Sequence, residues 1–175
     1  MKATTPGGAL VPLKDCYVTI SGKTINFKVL PEISDQKSAT YNDETAIGRS
    51  SPMKTYGSSD NRSISVQMHF VVSTPKDVDD NLSYLKLIAS AVYPRKGTQG
   101  APFVPPPICK LKCGELLAKI PLCVVLKQYS VKFPTEVAWD EKTFIPFKFD
   151  VGTTWETVYK SADLPGQNRI MRAGI

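Results

Sequence analysis

Catalytic chemistry is thinly supplied in this 175-residue chain, which has a single histidine, His69. A Ser-His-Asp or Cys-His arrangement then has one conceivable centre, and no Gly-x-Ser-x-Gly elbow marks a nucleophile. A phosphate-cradling Gly-x-x-x-x-Gly-Lys-Ser/Thr loop is absent as well. Metal ligands are equally sparse. Cys109 and Cys113, with Cys123 further on, are the only grouped thiols, and zinc sites usually show two tight Cys or His pairs. Cys109, Leu111 and Cys113 share strand parity, so they are expected as small apolar packing residues. No catalytic residue, metal site or cofactor is expected, and the chain is not read as an enzyme.

Long apolar runs are lacking too. Nothing approaches the roughly 18–20 residues that cross a bilayer, and Met1–Leu10 lacks the charged-then-apolar pattern of a signal peptide. Synthesis in the cytoplasm and reduced cysteines, Cys16 included, are the expectation. The formal net charge is +6, but Lys23, Lys28, Lys37, Lys54, Lys110, Lys112, Lys127 and Lys132 are scattered singly. No basic cluster of the kind that tracks a nucleic-acid backbone emerges.

Proline is abundant, at 14 residues, and favours loops over long helices. Residues 1–14 have no period and read as an extended arm. Cys16 to Ile20 and Ile25 to Val29 flank Ser21-Gly22, a hairpin signal. The clearest strand is Ile64 to Val72: Ile64, Val66, Met68 and Phe70 alternate with Ser65, Gln67 and His69. Leu82, Leu85, Ala89 and Val92 then recur at helical spacing behind Asp77, Asp79 and Asp80, predicting a helix over about 78–93, before Pro94. A stiff connection through Pro105-Pro106-Pro107 leads to strands at Ile108–Cys113, Leu116–Lys119, Leu122–Phe133, Thr143–Val151 and Thr154–Tyr159. Residues 161–175 read as a polar tail. The inventory is β-rich α+β, a sandwich or open barrel in one domain over 15–160, flanked by one helix.

Between Leu30 and Ile64 lie some thirty polar residues with neither helical nor strand period. A loop that long inside a domain of this size usually has a function of its own. Gly48 permits a left-handed backbone, Pro52 stiffens the exit, and Arg49 is either a solvated loop arginine whose ion pairs are worth little or a planar donor fork for a carboxylate on a neighbouring chain.

Leu30-Pro31-Glu32, Ser34 to Ala39, Tyr41, Ile47-Gly48-Arg49-Ser50, Pro52, Tyr56 and Arg62-Ser63-Ile64-Ser65-Val66 resemble the signature block of baseplate tube proteins of contractile phage tails and related injection systems. The resemblance spans about residues 15 to 160, with its specific part in Leu30–Phe70 and a lesser one at the three prolines. It implies a tail-tube-like fold and a structural role in the virion. The subunit would form a ring, six-membered by resemblance, between spike hub and tail tube, starting or adapting tube assembly. Its partners would be copies of itself, the hub or spike protein, the tube or a second initiator, and baseplate wedge proteins, with DNA only passing through the lumen. The LysM module of the adaptor members has no counterpart after Tyr159, which favours the bare ring role.

The resemblance assigns a subunit interface to Gly48, Arg49, Ser50, Pro52, Tyr56 and Arg62. Arg62 keeps the alternative of pairing across its own sheet. Two other classes remain open: a basic nucleic-acid-binding β-barrel using the Lys127/Lys132 face, and a hydrolase with His69 in its site.

Overall fold

The computed structural model describes residues 15–45, 47–48, 50–97, 103–141 and 144–159. The expected N-terminal arm, the C-terminal tail and Arg49 lie outside these residues.

The chain opens with β1 (Cys16–Ile20) and β2 (Lys23–Asn26), joined at Ser21 and Gly22, both at positive φ. Two successive left-handed residues make the turn whose twist suits antiparallel strands. There follow β3 (Glu32–Gln36), β4 (Ala39–Glu44), β5 (Met53–Ser59), β6 (Ser63–Val71) and the helix α1 (Pro75–Ser90). Two-residue strands β7 (Arg95–Lys96) and β8 (Phe103–Val104) pair with each other, and β9 (Cys109–Cys113), β10 (Leu122–Lys132) and β11 (Lys148–Thr157) complete the order.

One seven-stranded antiparallel sheet, in the order β2-β1-β9-β10-β11-β6-β3, carries the fold; β4 and β5 form a separate two-stranded sheet. Among the described residues β2 and β3 are the edges of the large sheet, so the fold is the expected β-rich α+β class with one helix, built on one large sheet that is not a closed barrel. Its core face is set by alternation. Ile64, Val66, Met68 and Phe70 of β6 are buried beside Phe149, Val151 and Trp155 of β11, Val18 and Ile20 of β1, and Leu111 of β9. Trp155 is fully buried, and its Nε1–H donates to Thr153 Oγ1 at 2.8 Å.

The eleven-residue β10 keeps its apolar residues inward by changing parity. A bulge between Leu126 and Gln128 leaves Lys127 outside the register. Val124 and Leu126 face the core before it, and Tyr129 and Val131 after it. The extra residue absorbs one step of the pleat, so a sequence that looks interrupted is a continuous buried face.

α1 packs on this core face through Ile88, Tyr84, Leu85 and Leu87. Its first turns are tied to the β2 edge and to β6. Lys28, just past β2, pairs with Asp77 in the first turn, while Asn81 Nδ2 donates to the carbonyl of Val71 at the end of β6. Asp77 Oδ2 also accepts from the backbone N–H groups of Ser73 and Thr74, each at 3.0 Å. The Lys28 ammonium and those N–H groups hold the Asp77 carboxyl well below the usual carboxylate range.

Several expectations are corrected. The helix runs Pro75–Ser90 rather than over about 78–93, because Thr74 and Pro75 start it earlier and Ala91 and Val92 close it with bonds to Ile88 and Ala89. Leu116–Lys119 is not a strand: Gly114, at φ 55°, turns the chain away. The two final strands are one, Lys148–Thr157. Phe144, expected within it, sits at φ 54° in a turn, exposed and packed on Trp139 with ring centroids 5.2 Å apart. The period-free loop of 30–63 is mostly strand, as β3, β4 and β5.

Candidate subunit interface

β3 and β6 pair from Glu32↔Gln67 to Gln36↔Ser63, and the same two chain segments then leave the large sheet together. Beyond the link at Ser38 and Asp60, where Asp60 N–H donates to the Ser38 carbonyl at 3.0 Å, they pair again from Ala39↔Ser59 to Glu44↔Met53 as β4 and β5. The expected contact loop is therefore a hairpin arm continuing the β3–β6 pair. At about 3.3 Å per residue, the six residues of β4 give it a reach of about 20 Å.

No face of the arm is buried. Every residue of β4 is exposed, and in β5 only Thr55 is partly covered. Tyr41 and Tyr56, cross-strand partners, meet edge to face at 5.9 Å while remaining 56% and 61% exposed. Asp43 and Lys54, also opposite, pair at 2.6 Å. Met53 is half exposed and Ile47, near the tip, is fully exposed. Gly48 beside it has φ 87°, a conformation suited to glycine, with open space where a Cβ would point.

Of the expected interface residues, Gly48, Ser50 and Pro52 come together at the exposed tip, and Tyr56 lies on the arm's second strand. Arg62 lies apart from them, at the arm's root, and makes the alternative pairing across its own sheet. It is 8% exposed, its Nε–H donates to both carboxylate oxygens of Asp35 at 2.8 and 2.9 Å, and its Nη groups reach the carbonyl of Leu117. The Asp35 carboxylate holds the guanidinium in its charged form, raising its pKa further. Arg62 pairs within its own domain and fastens the arm's root to the sheet edge and to the turn after β9. A second tie runs from Asn61 Nδ2 to Glu156 Oε1 at 2.8 Å and from Lys127 Nζ to Glu156 Oε2 at 2.8 Å. Lys127 and Asn61 together lower the Glu156 pKa.

No family model matches this chain, and no curated protein matches its sequence. The interface reading stands on the residues themselves.

Tyr41, Ile47 and Met53 belong on the arm's surface although no role was assigned to them from sequence. The readable signal is the charge complement of Asp43 and Lys54 on either side of a glycine-bearing tip. Asp35, the partner of Arg62, sits in a polar run and announces nothing. His69 has Asp150 as its hydrogen-bond partner, Nδ1 to Oδ1 at 2.6 Å, across the β6–β11 pair. That contact joins neighbouring strands and orients the imidazole. The Lys127/Lys132 face is the sheet's second face, a polar surface where Ser34, Ser65, Gln67, Gln128, Ser130 and Thr154 line a trough of about 350 Å³.

Proposed function

We propose that the chain is a structural subunit of a contractile-tail baseplate, assembling with copies of itself into a ring between spike hub and tail tube and helping to start the tube. The observation that carries the reading is the arm. A two-stranded hairpin with neither face covered is at best marginally stable in water, and this one exposes Tyr41 and Tyr56 midway along its length and Ile47 and Met53 towards its tip. A neighbouring subunit would cover it and order it.

Two further features support assembly. Among the described residues no strand pairs with the outer edges of β2 and β3, and joining such edges between subunits closes a sheet into a larger barrel. Leu116 and Ile120 are exposed in the turn that Arg62 ties to the arm's root, an apolar surface for a neighbour to cover. The core face is closed by α1, so the face left to line a central passage is the polar one carrying Ser65, Gln67 and Ser130. The resemblance of Leu30–Phe70 to tube proteins supplies the ring number and the neighbours.

The test is the particle formed by purified chain, alone and with a candidate hub or tube protein, by native mass and negative-stain imaging. Rings or stacked rings are expected. A persistent monomer in both mixtures, or one that binds DNA with an affinity falling steeply with salt, overturns the proposal.

A further inference from the structure

Cys16 opens β1 and Cys113 closes β9, and the register sets them directly opposite. Two kinds of opposed pair alternate along an antiparallel ladder, and the backbone decides which this is. The Cys16 carbonyl accepts from Phe27 N–H on the β2 side, at 3.2 Å, so the backbone polar groups of Cys16 point away from β9. One residue earlier, Gly114 N–H donates to the Asp15 carbonyl at 2.6 Å, which makes Asp15 and Gly114 the hydrogen-bonded pair. Both bonds say that Cys16 and Cys113 are a non-hydrogen-bonded pair.

In such pairs the Cα atoms lie about 4.5 Å apart and the side chains approach most closely. That separation falls at the short end of the roughly 4.4–6.8 Å a disulfide spans. Parity puts both thiols on the core face, since Cys16 aligns with the buried Val18 and Ile20, and Cys113 with Leu111. Cys113 is buried and Cys16 partly exposed, so a reagent in solution reaches one of the two. We infer that Cys16 and Cys113 form a cross-strand disulfide when the protein meets an oxidising thiol pool.

The oxidant is a small-molecule disulfide such as oxidised glutathione. Cys16 loses its proton and attacks one sulfur of the reagent, forming a mixed disulfide and releasing one thiolate, which takes up that proton. Cys113 then loses its proton and attacks the Cys16 sulfur, expelling the second thiolate, which is protonated in turn. Two protein thiols are oxidised and one disulfide is reduced to two thiols. The chemistry divides the roles suitably: the Cys113 thiol hydrogen-bonds to Cys16 and lowers its pKa, whereas Cys113 itself is raised by that contact and by burial. Cys109, pushed up to about 11 by burial, and Cys123, exposed, have no thiol opposite them: their β9–β10 register partners are Val124 and Lys110. The bond staples the start of β1 to the end of β9 whatever assembly the chain joins. In a reducing cytosol it stays open, and outside it closes.

The experiment incubates the full chain carrying Cys123→Ser with oxidised glutathione, then counts free thiols after denaturation and maps linked peptides. The expected result is loss of a pair of thiols, a Cys16–Cys113 linked peptide, no retained glutathione, and a melting midpoint several degrees above that of the reduced form. Cys16→Ala should abolish the linkage and the shift, whereas Cys109→Ala should keep both, measured against its own reduced form. Glutathione retained on Cys16 with Cys113 still free, or a linkage through Cys109, overturns the inference.

Discussion

The body of the sheet and the arm are both antiparallel β-structure, cut from adjacent stretches of chain, yet physically opposite. In β6 every second side chain is buried, and the strand is held on one side by β11 and on the other by β3. In β4 and β5 nothing is buried, and among the described residues each strand has the other as its one ladder partner. Strand geometry alone therefore says little about what stabilises a segment. The body is held by apolar area removed from water; the arm is held by its ladder and by exposed contacts such as the Tyr41–Tyr56 ring pair, the Asp43–Lys54 ion pair and the Tyr56–Ser59 hydrogen bond, each worth little in water.

The difference can be broken or sharpened by substitution. The largest effect should come from the centre of the body: Trp155→Ala removes a fully buried indole and the donor to Thr153 Oγ1, and should cost about 3–5 kcal/mol in urea denaturation. A smaller loss, about 2 kcal/mol by the same measurement, is expected of Arg62→Ala at the junction, where charge-assisted bonds to a partly exposed Asp35 disappear. If Arg62→Ala left stability unchanged but abolished assembly, Arg62 would belong to the interface after all.

Asp77 sharpens the same contrast through pH. Its folded-state pKa is depressed below the ordinary value of about 3.9, so its contribution is present above about pH 4 and is lost as pH falls further toward the depressed value. Asp77→Asn should therefore lower stability at neutral pH and flatten the acid limb below about pH 4, read from the unfolding midpoint across pH. An unaltered acid limb would mean that the Lys28 contact adds nothing. The smallest effect belongs to the arm. Tyr41→Ala with Tyr56→Ala should leave the global unfolding free energy within about 0.5 kcal/mol of wild type while weakening ring assembly in native mass spectra.

This contrast also explains what could be read from sequence. β6, the β1–β2 hairpin and α1 were legible because each has one buried face, which writes a period of two or 3.6 into the chain. The arm was not, because a strand with no buried face has no pattern to show; Ala39–Glu44 and Met53–Ser59 look like loop for the same reason that they bury nothing. β11 looked like two strands because Gly152-Thr153-Thr154 is polar. Yet Thr153 is buried, with its hydroxyl donating to the Val66 carbonyl at 2.9 Å and accepting from Trp155. On the candidate site, the residues singled out from sequence, Gly48, Ser50, Pro52 and Tyr56, are exposed on the arm. For Arg62 the structure shows the alternative pairing across its own sheet, with Asp35, a partner not legible in sequence because the whole arm separates the two.

Amide hydrogen exchange across Ala39–Ser59, in the chain alone and in the assembled particle, bears most directly on the claim that the arm exists to hold another subunit. Fast exchange in the free chain, slowed many-fold on assembly while β6 and β11 stay slow throughout, is the predicted result. Arm amides that exchange equally fast in the assembled particle would contradict it.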